Sequence, residues 1–180
     1  MTSKPKAIIF DMDGVLLDSE PLHDKVVDAI VASYGCELDA ATRALFVGRS
    51  SMDMWTEIKR LCNLEASVTE LFDAQWDNIK VALHTSGIPA SEGLYEVLEK
   101  AQSEKLKIAI GSSSRKDFVR EVLAYLDIER YIDYIVDTQK VEHGKPAPDM
   151  YLQAARGLGL EPSECMVVED STSGVASGKA

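Results

Sequence analysis

The chain has 180 residues, of which 46% are apolar, and this is enough for one complete hydrophobic core or a core with a modest insertion. Its 19 basic and 30 acidic residues give a formal net charge of −11. That charge argues against general binding to nucleic acid or to an anionic membrane surface, because both need basic faces. An anionic small substrate would need a local basic pocket set against this field.

The cysteines and the first residues bear on the cellular compartment. The three cysteines, Cys36, Cys62 and Cys165, have no metal-ligand spacing and no evident disulfide pattern, so we predict buried, reduced thiols. The first apolar run covers only residues 7–10, which is too short for a signal peptide or a membrane span. A cytoplasmic protein fits these features best.

The first predicted strand, residues 7–10, runs directly into Asp11 and Asp13 and then into Gly14. A carboxylate at the end of a buried strand is costly unless a cation or hydrogen bonds compensate it. The pair suits a metal-assisted reaction in which one carboxylate attacks and the other moves protons. An isolated Asp-x-Asp-Gly segment is equally typical of a helix N-cap or an acidic turn as it is of such a reaction site. An EF-hand calcium loop is excluded, because Gly14 is fourth and Leu22 is twelfth where that loop needs glycine sixth and glutamate twelfth.

The next 60 or so residues have a helical pattern of apolar positions. From about Pro21 to Leu83 these positions recur at helical spacing, and Gly35 follows the first run as a stop signal. Trp55 and Trp76 fall in this pattern and are expected in the core. The stretch contains no convincing strand, so we predict an all-helical insertion.

After this insertion, strands and helices alternate. The patterns predict a helix over 93–101, a strand over 107–111, a helix over 118–126, a strand over 131–136, a helix over 150–158, a strand over 165–168 and a final helix beginning near Gly174. Such alternation predicts an α/β fold with a parallel sheet covered by helices on both faces.

Polar residues that follow these strands are predicted to meet at one edge of the sheet, where ligands of such folds bind. The acids Glu169 and Asp170 follow the fourth strand, the serines 112–114 follow the second, and Lys145 lies in a proline-restricted loop. Carboxylates suit Mg²⁺. Serines at a helix start and a lysine suit a phosphate. Each group alone is typical of a cap or a solvated loop, but their ordered combination favours a site.

Four segments in this order resemble the four motifs of the haloacid dehalogenase superfamily, in its branch of sugar-phosphate phosphatases and β-phosphoglucomutases. They are DMDGVLLDSE at 11–20, GSSS at 111–114, GKPAPD at 144–149 and VEDS at 168–171. The resemblance spans the chain. It implies a Rossmann-like core from residues 1–17 and 92–180 and an inserted helical cap, residues 18–91, which closes over the site and excludes water.

The resemblance also implies how the acids share the reaction. Asp11 attacks phosphorus and forms an aspartyl-phosphate. Asp13 protonates the leaving oxygen and then deprotonates the incoming water or hydroxyl. Mg²⁺ is held by the Asp11 carboxylate, the Asp13 backbone carbonyl and Asp170, and Glu169 supports the metal site.

The phosphate and substrate contacts follow from the same resemblance. Ser112, Ser113 and Lys145 are expected to hold the phosphoryl oxygens. In the cap, Arg49 is a candidate for binding a phosphate or sugar oxygens, and His23 lies on the hinge side of the cap. A histidine such as His23 is equally typical of a residue that only packs against its neighbours. An arginine such as Arg49 is equally typical of a surface residue. The partner is a small phosphorylated metabolite, with no nucleic acid or membrane.

Three functions are open at this point. The first is a Mg²⁺-dependent phosphatase of small sugar phosphates. The residues Ser19, Glu20 and Pro21 favour this function. The second is a mutase of the β-phosphoglucomutase type, which makes the same aspartyl-phosphate but passes it to a sugar hydroxyl. The third is a catalytically silent binding member. The aspartate at position 13 favours phosphate esters over the carbon–halogen and phosphonate substrates of other branches.

The C-terminal end departs from the family pattern. Relatives continue past the helix near Gly174 with another strand and more helix, whereas this sequence stops at Ala180. We expect the sequence to be cut short of the family's usual end, with one sheet edge left exposed.

Overall fold

The computed structural model describes residues 4–46 and 51–180. The chain divides into two compact units, an α/β unit of Met1–Ser19 with Ile88–Ala180 and a helical unit of Glu20–Gly87. The domain limits expected from the sequence, at 17/18 and 91/92, stay a prediction. In chain order the elements are β1 Ala7–Phe10, α1 Glu20–Ser33, α2 Ala40–Ala44, α3 Ser51–Cys62, α4 Val68–Ser86, α5 Leu94–Ser103, β2 Lys107–Ile110, α6 Lys116–Tyr125, β3 Tyr134–Ile135, α7 Asp149–Leu158, β4 Cys165–Val168 and α8 Thr172–Lys179.

The α/β unit is built on a parallel sheet with the strand order β3-β2-β1-β4. All four residues of β1 are buried, as expected for a central strand of a sheet covered on both faces. Phe10 pairs in register with Ile110 of β2 and with Val168 of β4. Three strands therefore end at the same level, and the residues that follow them meet at one edge. The predicted α/β fold is confirmed.

One hydrophobic core of this unit lies between the sheet and α7. Ile9 and Ala109 from the sheet pack with Met150, Ala154 and Leu158, which recur at helical spacing on one face of α7. This packing fixes the position of α7 beside β1 and β2. The helix carries one further residue of that face, Tyr151, to the edge where the strands end.

The helical unit has no strand among residues 20–46 and 51–87, in agreement with the predicted helical insertion. Helix α1 buries an apolar stripe, and α4 begins with a capping box between Ser67 and Glu70. The two tryptophans are 0% and 5% exposed, as expected for core residues, and the indole N–H of Trp55 donates to Gln75 Oε1 at 2.7 Å. No helix among the described residues is long and apolar enough to cross a membrane.

The third strand is shorter than predicted. The pattern indicated residues 131–136, whereas β3 contains only Tyr134 and Ile135. Just before it, the Asp133 carboxylate accepts the backbone N–H of Ile108 at 2.8 Å, and the Asp133 N–H donates to the Ile108 carbonyl. A side chain thus takes the place of a ladder hydrogen bond, and the regular strand begins one residue later.

The prediction of three reduced thiols is wrong for two of them. Cys36 and Cys62 form a disulfide with a Cα–Cα distance of 5.9 Å, and Cys165 is a half-buried free thiol. Cys36 follows the turn that ends α1 after Gly35, and Cys62 is the last residue of α3. Only the packing of the helical unit brings these ends together, so a separation of 26 residues gave no sign of the bond.

We expect the disulfide to stabilise the helical unit, because it closes a long loop and so restricts the unfolded chain. Reduction, or the double substitution Cys36→Ser with Cys62→Ser, should lower the free energy of unfolding by about 2–4 kcal/mol. Denaturant unfolding with and without reductant measures this. The control, Cys165→Ser, should retain the full response to reductant. Three reactive thiols in unreduced, denatured protein, instead of one, would show that the bond does not form.

Candidate active site

The ends of β1 and β4 bring three carboxylates together. Asp11 follows β1 and donates its backbone N–H to the carbonyl of Val168 at 3.0 Å, which continues the ladder by one residue. Glu169 and Asp170 follow β4. One carboxylate oxygen from each of the three acids lies within 4.8 Å of the other two. The predicted meeting of Asp11, Glu169 and Asp170 at one edge is therefore seen in the structure.

Lys145 provides the counter-charge for two of these acids. Its Nζ lies 2.9 Å from Asp11 Oδ1 and also forms a close ion pair with Glu169 Oε1. The side chains of Lys145, Asp11 and Glu169 are only 8%, 10% and 2% exposed. Buried charges are tolerated when they are paired and hydrogen-bonded, so these three side chains depend on one another.

The pKa values of the two paired acids move in opposite directions. Burial raises the pKa of Asp11 to about 6, although Lys145 lowers it, and the neighbouring charges of Glu169 and Asp13 add to the rise. Burial also acts on Glu169, but hydrogen bonds from Lys145 and Tyr151 hold the pKa of that carboxyl below its ordinary value. The single positive charge of Lys145 therefore does not balance the negative charges of the neighbouring carboxylates.

The charge balance and the donor set fit a divalent cation. The three carboxylates with one lysine leave a net charge of −2 when all are ionised, and hard oxygen ligands are those that Mg²⁺ prefers. Asp11 is buried, Glu169 is intermediate and Asp170 is exposed. Gly14 allows the backbone of the loop after β1 to lie close to Asp170. Its φ is +78°, and a Cβ there would collide with the Asp170 carboxylate.

Asp13 has different surroundings from Asp11. Its carboxylate accepts hydrogen bonds from Ser114 Oγ at 2.8 Å and from Ser112 Oγ at 3.2 Å, and a third from Ser19 Oγ. Two carboxylates two residues apart therefore have separate partners, one a lysine and the other hydroxyls. Such divergence is typical of acids with separate chemical roles.

The predicted phosphate-binding serines lie at this edge. Ser112 is buried, and its hydroxyl also accepts the backbone N–H of Ser114 at 3.0 Å. Ser113 is exposed beside it. The serine run thus supplies two hydroxyls to Asp13, and its role toward a phosphate stays a prediction.

Of the two predicted cap residues, only His23 is among the described residues. Arg49 lies outside the described residues. His23, on α1, has contacts inside the helical unit: its Nδ1 is 3.3 Å from Gln75 Nε2, and its ring meets the Trp76 ring edge-on with a centroid distance of 5.6 Å.

Two residues at the site, Ser19 and Tyr151, were not predicted to lie there, whereas Ser114 was predicted at this edge with the other serines. Ser19 falls inside the first motif, so its position was a usable signal. Tyr151 is different, because it sits six residues beyond Lys145 in an ordinary helical pattern. Only the folded helix shows that its hydroxyl donates to Glu169 Oε1 at 2.7 Å.

The raised pKa of Asp11 predicts a pH-dependent stability. Folding favours the protonated carboxyl, so ionisation opposes the fold, and stability from this group is lost as pH rises from about 3.8 to about 6. In EDTA at pH 7.5, Asp11→Asn should therefore unfold with a free energy up to about 3 kcal/mol higher than wild type. The advantage should shrink as pH falls from 6 to 4, as followed by denaturant unfolding. The exposed-acid control, Glu99→Gln, should show no such trend, and a pH-independent difference for Asp11→Asn would contradict the prediction.

Comparison with known proteins gives a consistent family. The profile of haloacid dehalogenase-like hydrolases matches residues 5–180. A phosphorylated carbohydrates phosphatase of Thermotoga maritima is 31% identical over 97% of this chain and 81% of its own length. A β-phosphoglucomutase of Mycobacterium bovis is 31% identical over 100% of this chain and 79% of its own length.

A solved structure supports the fold independently. The crystal structure of CbbY from Rhodobacter sphaeroides in complex with phosphate superposes with a TM-score of 0.85. The match covers 97% of this chain and 82% of that protein, and at 21% identity it shows the fold alone. The profile over residues 5–180 and the relatives show that the chain belongs to the haloacid dehalogenase-like hydrolase family.

Proposed function

We propose that this protein is a Mg²⁺-dependent phosphatase of small sugar phosphates that works through an aspartyl-phosphate on Asp11. The observation that carries the proposal is the Asp11 carboxylate held by Lys145 at 2.9 Å beside two further acids. A carboxylate in a fixed position next to a cation is suited to attack on phosphorus, which depends on positioning and electrostatics.

The first half of the reaction transfers the phosphoryl group to the protein. An Asp11 oxygen forms a bond to phosphorus while the bond from phosphorus to the sugar oxygen breaks, and protonated Asp13 gives that oxygen its proton. The hydroxyls of Ser19 and Ser114 can hold either form of Asp13, because a hydroxyl both donates and accepts. Lys145 offsets charge on the phosphoryl oxygens.

The second half regenerates the free carboxylate. Asp13, now ionised, takes a proton from water, the water oxygen bonds to phosphorus, and the bond from phosphorus to Asp11 breaks to release phosphate. Mg²⁺, held by Asp11, Asp170 and the Asp13 backbone carbonyl with Glu169 in support, would supply the positive charge that the acids lack. Ser112 and Ser113 are the proposed further contacts to the phosphoryl oxygens.

The substrate class is supported by a relative that is named for phosphorylated carbohydrates. We propose the helical unit as the cap that closes over the bound sugar phosphate, with Arg49 and His23 as candidate contacts. The mutase is the second candidate, favoured by the relative named β-phosphoglucomutase at the same identity. It would use the same half-reaction on Asp11 and pass the phosphoryl group to a sugar hydroxyl.

A substrate panel tests the reaction. With Mg²⁺ and a set of hexose and pentose phosphates, we expect release of inorganic phosphate from at least one member, measured beside NMR detection of isomerised sugar phosphate. Asp11→Asn should lower kcat by about a thousandfold or more, because the nucleophile is lost. Asp13→Asn should lower it by about a hundredfold or more, because proton transfer is lost. Isomerisation without phosphate release would favour the mutase, and no turnover at all would favour the silent binding member.

Metal binding is tested without turnover. Titration with Mg²⁺ should raise the melting temperature of the EDTA-treated protein, because the ion binds only the folded acidic site. Asp170→Asn should require about tenfold more Mg²⁺ for the same rise, since it removes one charged ligand. The control, Glu99→Gln, removes an exposed acid on α5 and should leave the titration unchanged. An identical titration for Asp170→Asn would remove Asp170 from the metal site.

A further inference from the structure

Tyr151 is a buried residue that the motifs do not include but that contacts two of the charged groups. It lies on α7 with 5% of its surface exposed. Its hydroxyl donates to Glu169 Oε1 at 2.7 Å. Lys145 Nζ lies 5.1 Å from the centre of its ring, within the range of a cation–π contact.

The phenol completes the hydrogen bonding of Glu169. Oε1 of that carboxylate accepts from Lys145 and Tyr151, and Oε2 accepts from the backbone N–H of Ser171 at 3.0 Å and from Ser171 Oγ at 2.9 Å. Four donors around one carboxylate fix its rotation. A phenol is protonated at neutral pH, so Tyr151 is the O–H donor in this hydrogen bond.

The ring itself is closely held. Gly111, which follows β2, leaves space for it, because a Cβ at that position would lie 3.1 Å from Tyr151 Cε1. The side chain is therefore wedged between the end of β2 and its own helix. It has little freedom to follow Glu169 or Lys145 if they move, so it acts as a fixed support.

We propose that Tyr151 is a positioning residue that fixes Glu169 and thereby keeps the Lys145 ammonium directed at Asp11. An ammonium has three N–H donors, and Asp11 and Glu169 take two of them. The third remains for a phosphoryl oxygen only while the other two stay in place. Tyr151 is thus proposed to act through Glu169 and Lys145. The catalytic part of this inference rests on the function proposed above.

The test is a double-mutant cycle on the metal-loaded full chain. Tyr151→Phe removes the hydroxyl and keeps the ring, and it should lower kcat/KM by about tenfold or more, mostly through kcat. The matched control is Tyr95→Phe, which removes a hydroxyl bonded to the Leu126 carbonyl at 3.1 Å and should change kcat/KM by less than about twofold. In the Glu169→Ala background, adding Tyr151→Phe should also change it by less than about twofold, because the residue acts through Glu169. A full effect in that background, or none in wild type, would overturn the proposal.

A second measurement needs no turnover. Trace acetylation of the lysines, read by peptide mass spectrometry, reports how firmly the Lys145 ammonium is held. In Tyr151→Phe we expect acetylation at Lys145 to rise about threefold or more, and in Tyr95→Phe to match wild type. If wild type hydrolyses no sugar phosphate, the proposed function fails, and this measurement alone decides the role of Tyr151. Equal Lys145 labelling in Tyr151→Phe and wild type would then refute it.

Discussion

The ion pair of Lys145 with both Asp11 and Glu169 is the interaction on which the site depends. All three side chains are almost completely buried, so each needs the others to offset the loss of water. The register of the sheet makes the arrangement possible, because Phe10 and Val168 are direct partners and the acids after them start level. Together with Asp170, these side chains still carry a net negative charge. The edge where β1 and β4 end is therefore suited to bind a cation.

The two aspartates that follow β1 have different surroundings, as the proposed division of their chemical roles requires. Asp11 faces a lysine and two acids, where its pKa is raised mainly by burial, and a bound cation would favour the ionised, nucleophilic form. Asp13 faces hydroxyls that suit either protonation state. Only Met12 lies between Asp11, the proposed nucleophile, and Asp13, which gains and loses a proton in the proposed reaction.

The sequence predicted most of the sheet and most of the residues that meet at the site because those features are local. Apolar runs and helical spacing located the strands, and the acids directly after them were visible at positions 11, 169 and 170. The missed features are non-local. The Cys36–Cys62 bond needs the ends of α1 and α3 to meet, and the Tyr151 contact needs α7 to dock on the sheet. The third strand is shorter than predicted for a similar reason, since the Asp133 carboxylate bonds to Ile108 of the neighbouring strand in place of a ladder hydrogen bond.

The ion pairs of Lys145 with Asp11 and Glu169 also limit which side chains can determine whether water or a sugar hydroxyl accepts the phosphoryl group. In the proposed mechanism, attack by Asp11 and proton transfer by Asp13 are common to both outcomes. Relatives named as a phosphatase and as a mutase match this chain with the same 31% identity. Charges that only bind and activate the phosphoryl group treat the two acceptors alike. Selectivity between acceptors must then come from differential binding of the acceptor itself, and so from side chains that contact the sugar instead of the phosphate.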